Sequence, residues 1–239
     1  SGSADATISF SNVMVLDVNS RISLSNNDAG GTSGSDSLSA NTIFGYLAGQ
    51  DITDGGVDNT YFGHKAGNNN ATGDDNVFVG SNAGKGSHGN SNSKNVGIGS
   101  DALLAVSTGS WNAVMGNAAA KAMTDGHNNV AIGNQALMTS TSAGICVVIG
   151  DDAMKNGNAT QDGTIAIGGS ALYALIGGIG STAIGWESGK NVTSADYNTA
   201  LGYNTLGGNS STALTGDRNT VIGASAGRDM EGASTGNTL

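Results

Sequence analysis

Apolar residues recur along this chain in short clusters that each end at a glycine. Eleven such clusters align on their central glycines, and successive central glycines are 17 to 21 residues apart. They are Gly45, Gly63, Gly80, Gly99, Gly116, Gly133, Gly150, Gly168, Gly185, Gly202 and Gly223. A period this short and regular is typical of a solenoid, in which each repeat forms one coil stacked on the next.

The three residues before each central glycine predict a β-strand. The residue just before the glycine is large and apolar in every copy, and the residue two places earlier is β-branched in every copy except Ala113. Because side chains alternate between the two faces of a strand, we expect these two positions to form the inner wall of each coil. The residue between them never carries a charge or an amide. The outer face is therefore expected to need a second surface, most simply another copy of the chain.

Two further positions of the repeat carry polar or small residues. An asparagine stands four places before the central glycine in eight copies, and Cys146, Thr164 and Ser181 replace it in the other three. We expect these amides to bond to one another along the rod. Three residues after the glycine comes alanine in nine copies and Ser188 or Thr205 in two, which predicts a tight corner.

Composition agrees with an all-β parallel β-solenoid. The chain has 239 residues, 40 glycines and no proline, and proline lacks the N–H that stacked strands require. Nine basic and nineteen acidic residues give a formal charge of −10, which disfavours nucleic acid and anionic membrane surfaces as partners. No apolar run approaches the roughly 18 residues of a membrane span. Membrane insertion is therefore not expected.

The repeat divides the chain into three parts. Residues 1–40 lack it and are expected to form cap or junction strands, whereas residues 41–227 form the eleven coils of about 17 residues. Residues 228–239 begin a further repeat at Asn237, so we expect the chain to be a fragment of a longer protein.

Two families resemble these repeats. Asn129-Val130-Ala131-Ile132-Gly133 is similar to the head repeats of trimeric autotransporter adhesins, which are left-handed parallel β-rolls in homotrimers. The stretches 41–49 and 18–28 resemble more closely the tail-fibre proteins of bacteriophages, especially marine ones. The resemblance runs from about residue 15 to the end of the chain.

This resemblance implies a left-handed homotrimeric rod in the tail fibre of a virion, with a role in attachment to the host cell. The partners it implies are further copies of the chain, other virion tail proteins and a glycan or protein of the host-cell surface. The head of an adhesin on a bacterial cell surface is the alternative. A polysaccharide-degrading tailspike is a third interpretation.

Apparent catalytic motifs are explained by the repeat. The segment 223–227 fits the Gly-x-Ser-x-Gly pattern of hydrolases, but the segment 63–67 occupies the same place in its own repeat without the serine. The chain has only two glutamates, Glu187 and Glu231, and no paired carboxylates that recur, which counts against a glycosidase. We therefore predict no catalytic residue and no enzymatic activity.

Metal ligands are also sparse in the sequence. The acidic clusters are candidates for calcium between chains, although we favour a role in solubility; they are Asp51, Asp54 and Asp58, Asp74 and Asp75, and Asp151 and Asp152. The three histidines, His64, His88 and His127, belong to different repeats. No metal or cofactor site is predicted.

An ice-binding solenoid is a distant alternative. It requires a threonine ladder that faces outward without interruption. Here threonines such as Thr42 and Thr182 alternate with valines, on what we expect to be the inner wall.

One aromatic group is a candidate contact for a glycan or receptor. Trp186 and Tyr203 directly follow the central glycine in adjacent repeats, and Tyr197 leads into the second of them. Neighbouring exposed aromatic rings are a common platform for a sugar ring. The alternative, favoured equally, is that these rings pack against another chain in the trimer.

Overall fold

The chain folds as a parallel β-solenoid. A computed structural model describes residues 40–53, 55–87, 89–157, 163–207 and 213–239. Within these ranges, eleven three-residue strands form one parallel sheet in sequence order. They are β1 Thr42–Phe44, β2 Thr60–Phe62, β3 Val77–Val79, β4 Val96–Ile98, β5 Ala113–Met115, β6 Val130–Ile132, β7 Val147–Ile149, β8 Ile165–Ile167, β9 Thr182–Ile184, β10 Thr199–Leu201 and β11 Thr220–Ile222. The predicted fold class is therefore confirmed.

Equivalent residues of successive repeats pair along the whole sheet. Ala131 of β6, for example, pairs with Val148 of β7, and every other strand pair keeps this register. Thr238 bridges Thr220 in the same parallel sense, so a twelfth strand position begins where the sequence predicted it. The predicted N-terminal cap, apart from Ala40, lies outside the described residues. In the described ranges, no helix is long and apolar enough to cross a lipid bilayer.

The prediction of which strand residues form the inner wall of the coils is wrong. The middle residue of each strand points into the coil and is fully or almost fully buried in every strand except β1, where Ile43 is half-buried. The residues on either side of it are half-buried or exposed, as Val130 and Ile132 show around Ala131. The physical reason is the buried asparagine ladder, because Asn129 and Ala131 are two residues apart and must lie on the same face of the strand.

The predicted asparagine ladder is confirmed, and it lies on the same inner face. The Oδ1 atom of Asn112 accepts a hydrogen bond of 3.1 Å from the backbone N–H of Asn129. The Nδ2 atom of Asn112 donates to Oδ1 of Asn95 and to the carbonyl of Gly126. The Asn112 amide thereby joins three coils and satisfies a turn carbonyl of the next coil.

The central glycines are required by the spacing of the coils. Gly80 has φ +136°, and a Cβ atom on it would lie 2.6 Å from the carbonyl oxygen of Gly99 in the next coil. A side chain there would push the coils apart. The predicted tight corner is also confirmed, since Ala83 and its equivalents Ala66, Ala102, Ala119, Ala136, Ala153 and Ala171 are completely buried.

One buried tyrosine shows how dry the interior is. Tyr61 stacks on Phe78 with ring centroids 5.5 Å apart, and its hydroxyl accepts a hydrogen bond from Nδ2 of Asn70. Burial raises the pKa of the Tyr61 hydroxyl well above its ordinary value.

Candidate functional site

The largest candidate surface is the exposed side of the strand sheet, which we call the outer face. It consists of two columns, formed by the first and the third residue of each strand. The third residues include Phe44 and Ile222, which are 54% and 56% exposed, and large apolar residues fill every other place in their column. The column of first residues contains only threonine, valine, alanine and isoleucine.

The outer face contains no charged residue in a chain whose formal charge is −10. Eleven strands spaced by about 4.8 Å, each three residues of about 3.3 Å wide, give it an area of roughly 500 Å². That is as large as the largest apolar patch of a typical monomer, and patches of this kind are often functional. Unlike an ordinary patch, it runs along the whole described rod.

The outer face has two edges, each formed by one residue per coil, and all of these residues are exposed except the half-buried Gly169 and Gly180. The leading edge is the residue before the ladder position: Ala40, Asp58, Asp75, Lys94, Trp111, Asn128, Ile145, Gly163, Gly180, Tyr197 and Arg218. The trailing edge is the residue after the central glycine: Tyr46, His64, Ser81, Ser100, Asn117, Asn134, Asp151, Gly169, Trp186, Tyr203 and Ala224. Every leading-edge residue has a positive φ, including Trp111, Ile145 and Tyr197. Bulky side chains are disfavoured in that conformation, so their presence there has a conformational cost.

The three aromatic residues singled out from the sequence are all about half exposed. Trp186 and Tyr203 lie on the trailing edge, whereas Tyr197 lies on the leading edge. Strand β10 separates Tyr197 from Tyr203. One chain therefore does not bring the three rings together on one side of the strand.

Trp186 and Tyr197 each pack against residues of neighbouring coils. A Cβ atom on Gly169 would lie 2.5 Å from the Trp186 indole, so the indole occupies the space that this glycine leaves open. The Tyr197 ring lies between Gly180 of the preceding coil and Arg218 of the next, whose guanidinium carbon is 5.6 Å from the ring centroid. Residues of the two neighbouring coils thus flank the Tyr197 ring, which remains about half exposed.

Two stacked pairs at the first two coils were not predicted from the sequence. Phe44 and Phe62 stack on the outer face at 5.1 Å, and Tyr46 stacks on His64 at the trailing edge at 5.8 Å. The signal was present, because equivalent residues of neighbouring coils must lie one strand spacing apart. His88 and Asp54 lie outside the described residues.

The described residues bring together no group of three or more histidine, cysteine, aspartate or glutamate side chains that could hold a metal ion.

Ser225 lies on a coil corner with φ +58°, in the place that Lys65 and Asn82 take in their coils. Lys121 donates a 3.0 Å hydrogen bond to Asp101 and lowers the pKa of that carboxyl group. The pair of Lys121 and Asp101 supports the rod and does not form a cleft with paired carboxylates.

The threonines of the first strand position face outward, and not inward as the sequence analysis expected. Thr42 and Thr60 begin this column and Thr182, Thr199 and Thr220 end it, but valine, alanine and isoleucine interrupt it from β3 to β8. The uninterrupted outward ladder that ice binding requires is therefore still missing.

In comparisons with known proteins, no family matches the chain, and no curated protein or solved structure matches it either.

Proposed function

We propose that this chain is a structural rod segment of a homotrimeric viral tail fibre that takes part in attachment to a host cell. The observation that carries the proposal is the outer face, an uncharged apolar surface along an otherwise acidic rod. Burying one of its isoleucines is worth about 1.5 to 3 kcal/mol, and the face repeats such a residue in every coil. A surface of this kind is suited to permanent burial.

A second copy of the same chain fits this surface better than an unrelated partner. Its coils have the same rise, so each strand finds an equivalent strand at the same height along the rod. Two chains of charge −10 repel each other wherever their carboxylates approach, and the outer face is where neither chain has any. Association is therefore directed to this face.

The distance between the two edges of the face agrees with three copies around one axis. Six residue spacings of about 3.3 Å separate a leading-edge residue from the trailing-edge residue of its coil, and three sides of the resulting length, roughly 20 Å, enclose an axis about 6 Å from each sheet. That distance is close to half of the roughly 10 Å at which packed sheets are spaced. The large side chains of the three outer faces can then fill the centre.

The assignment to a tail fibre rests on the resemblance of the segment 41–49 and its equivalents to bacteriophage fibre repeats. In this proposal the chain belongs to a virion and lies next to other tail proteins. The host-cell ligand, if this segment contacts one, is a glycan or protein of the cell surface.

The assembly is tested by the mass of the purified chain in solution. We expect about three times the chain mass of 23.4 kDa by light scattering. Ile132→Asp places a charge in the outer face and should reduce the mass to that of one chain, while the circular dichroism spectrum is retained. Asn156→Asp adds the same charge at an exposed position outside the outer face and both of its edges, and it should leave the mass unchanged. A single-chain mass for the unaltered protein would overturn the proposal.

The biological setting is tested with antibodies raised against the purified chain. Labelling of the fibres of virions from the source, seen by electron microscopy, is the expected result. Labelling of bacterial cell surfaces instead would assign the same rod to an adhesin head.

A further inference from the structure

Trp186, Tyr197 and Tyr203 lie in adjacent coils but on opposite edges of the outer face. Resting on the proposed cyclic assembly, we infer that Trp186 and Tyr203 of one copy and Tyr197 of the neighbouring copy form one aromatic site between chains. The site is incomplete in a single chain. Its occupant is a second copy of this chain.

Symmetry brings these edges together. When parallel copies surround an axis that runs along the rod, the leading edge of each copy adjoins the trailing edge of the next. Coils of equal height then meet, so that a leading-edge residue faces the trailing-edge residue six places later in sequence. Tyr197 of one copy accordingly faces Tyr203 of the next.

The residues that face each other in this part of the rod are complementary in size. In the coil of β9, Gly180 faces Trp186, so the smallest residue meets the largest. In the coil of β11, Arg218 faces Ala224. Between them two tyrosines face each other, and aromatic pairs of this kind favour edge-to-face or offset contacts.

The residues that pack against these rings favour a second chain over a sugar as the binding partner. A sugar ring stacks on the face of an aromatic ring, but Gly180 and the Arg218 guanidinium group already flank the Tyr197 ring along the rod. Its exposed ring edge and hydroxyl group remain for a neighbour that approaches from the side. The Trp186 indole, held over Gly169, is the ring surface that such a neighbour would meet.

Cross-linking tests the predicted pairing of the edges. Tyr197→Cys and Tyr203→Cys are combined in a Cys146→Ser background, since Ser181 occupies the same ladder position as Cys146. Within one chain the new cysteines are separated by β10, more than about 10 Å of strand, which is too far for a disulfide. Mild oxidation should therefore produce covalent oligomers.

The control moves one cysteine away along the rod. Tyr197→Cys with Asp151→Cys places the trailing-edge thiol three coils lower, about 14 Å out of register. This pair should give no covalent oligomer. Equal cross-linking by both pairs, or by neither, in a protein with the mass of an oligomer would overturn the inference and leave the proposed rod assembly standing. A single-chain mass would overturn both.

A second measurement separates a contact between chains from a glycan site. Trp186→Ala should raise the concentration at which the oligomer dissociates about tenfold, as expected for a buried aromatic contact. Trp111→Ala is the matched control, because Trp111 is equally exposed but faces Asn117 in the same arrangement. If Trp186→Ala instead left dissociation unchanged and removed binding to a glycan array, the site would be assigned to a glycan and the inference would be wrong.

Discussion

The inner and outer faces of the strands are both apolar, but they are filled in different ways. On the inner face, the middle strand residue varies from glycine to phenylalanine and tyrosine. On the outer face, the third residue is large in every strand and nothing within the described chain covers it. A single chain therefore buries its own inner face but leaves its outer face exposed.

Residue size on the inner face is compensated within most coils, and the pair of small residues Ala183 and Gly189 is the exception. Where the middle residue is large, as in Tyr61 and Phe78, the residue six places later is glycine, and a Cβ atom on Gly84 would overlap the Phe78 ring. Where the middle residue is Gly97 or Ala131, the residue six places later is a buried leucine. The pairs are Ile43 and Gly49, Tyr61 and Gly67, Phe78 and Gly84, Gly97 and Leu103, Val114 and Ala120, Ala131 and Leu137, Val148 and Met154, Ala166 and Leu172, Ala183 and Gly189, Ala200 and Leu206, and Val221 and Gly227.

No such compensation exists on the outer face, because no part of the same coil packs against it. Substitutions on the inner face should therefore change the stability of the chain itself. Substitutions on the outer face should change association and leave the fold of the coil intact.

The largest effect is expected from breaking the asparagine ladder of the inner face. Asn112→Ala leaves the buried N–H of Asn129 and the carbonyl of Gly126 without their hydrogen bonds. We expect a loss of about 3 kcal/mol in the free energy of unfolding by urea, measured by circular dichroism. Asn134→Ala, at the exposed trailing edge, should change it by less than about 0.5 kcal/mol. Equal effects of the two substitutions would remove the distinction between buried and exposed amides.

A smaller effect is expected from overfilling one coil. Ala131→Phe puts a ring where Leu137 already fills the space, and overpacking of this kind costs about 1 to 3 kcal/mol. Adding Leu137→Gly recreates the pair found in Phe78 and Gly84, so most of the loss should be recovered. The same ring on the outer face, in Ile132→Phe, should change the association of the chains and leave the circular dichroism spectrum of the coil intact. Failure of the double substitution to recover stability would show that the size pattern is not compensation.

Much of the fold was predicted correctly from the sequence, but the face of each strand that points into the coil was not. The spacing of the glycines determined the coils, and the asparagines and corner alanines determined the ladder and the tight bend. Alternation fixed which residues share a face but not which face points inward, and we assigned the larger residues to the interior. The ladder held the missing signal, because Asn129 and Ala131 are two residues apart and must lie on the same side of the strand.

The candidate site was predicted only in part for a related reason. The sequence identified Trp186, Tyr197 and Tyr203 as neighbours along the chain. The predicted strand already implied that Tyr197 and Tyr203 lie at its opposite ends, but these residues were grouped by their nearness along the chain. The stacking of Tyr46 on His64 follows from the register of the coils, which the repeat already specified.

The smallest effect concerns two buried threonines of the coil interior. The hydroxyl of Thr205 donates a 2.6 Å hydrogen bond to the carbonyl of Gly223, whereas the hydroxyl of Thr164, in a gap of the asparagine ladder, has no hydrogen-bond partner among the described residues. Valine has the same shape without the hydroxyl group. Thr205→Val should therefore destabilise the chain by about 1 kcal/mol, and Thr164→Val should stabilise it by a similar amount because an unpaired buried polar group is removed.

The two substitutions are compared by their urea midpoints at one chain concentration. Opposite signs are expected, since the chemical change is the same and only the pairing of the hydroxyl group differs. If both substitutions destabilised the chain, the Thr164 hydroxyl would have a partner in solution, such as a buried water molecule, and the ladder would continue through that position. Because both residues are buried within the coil, neither substitution should alter the mass of the assembly, so a change in mass would contradict the separation of the inner from the outer face.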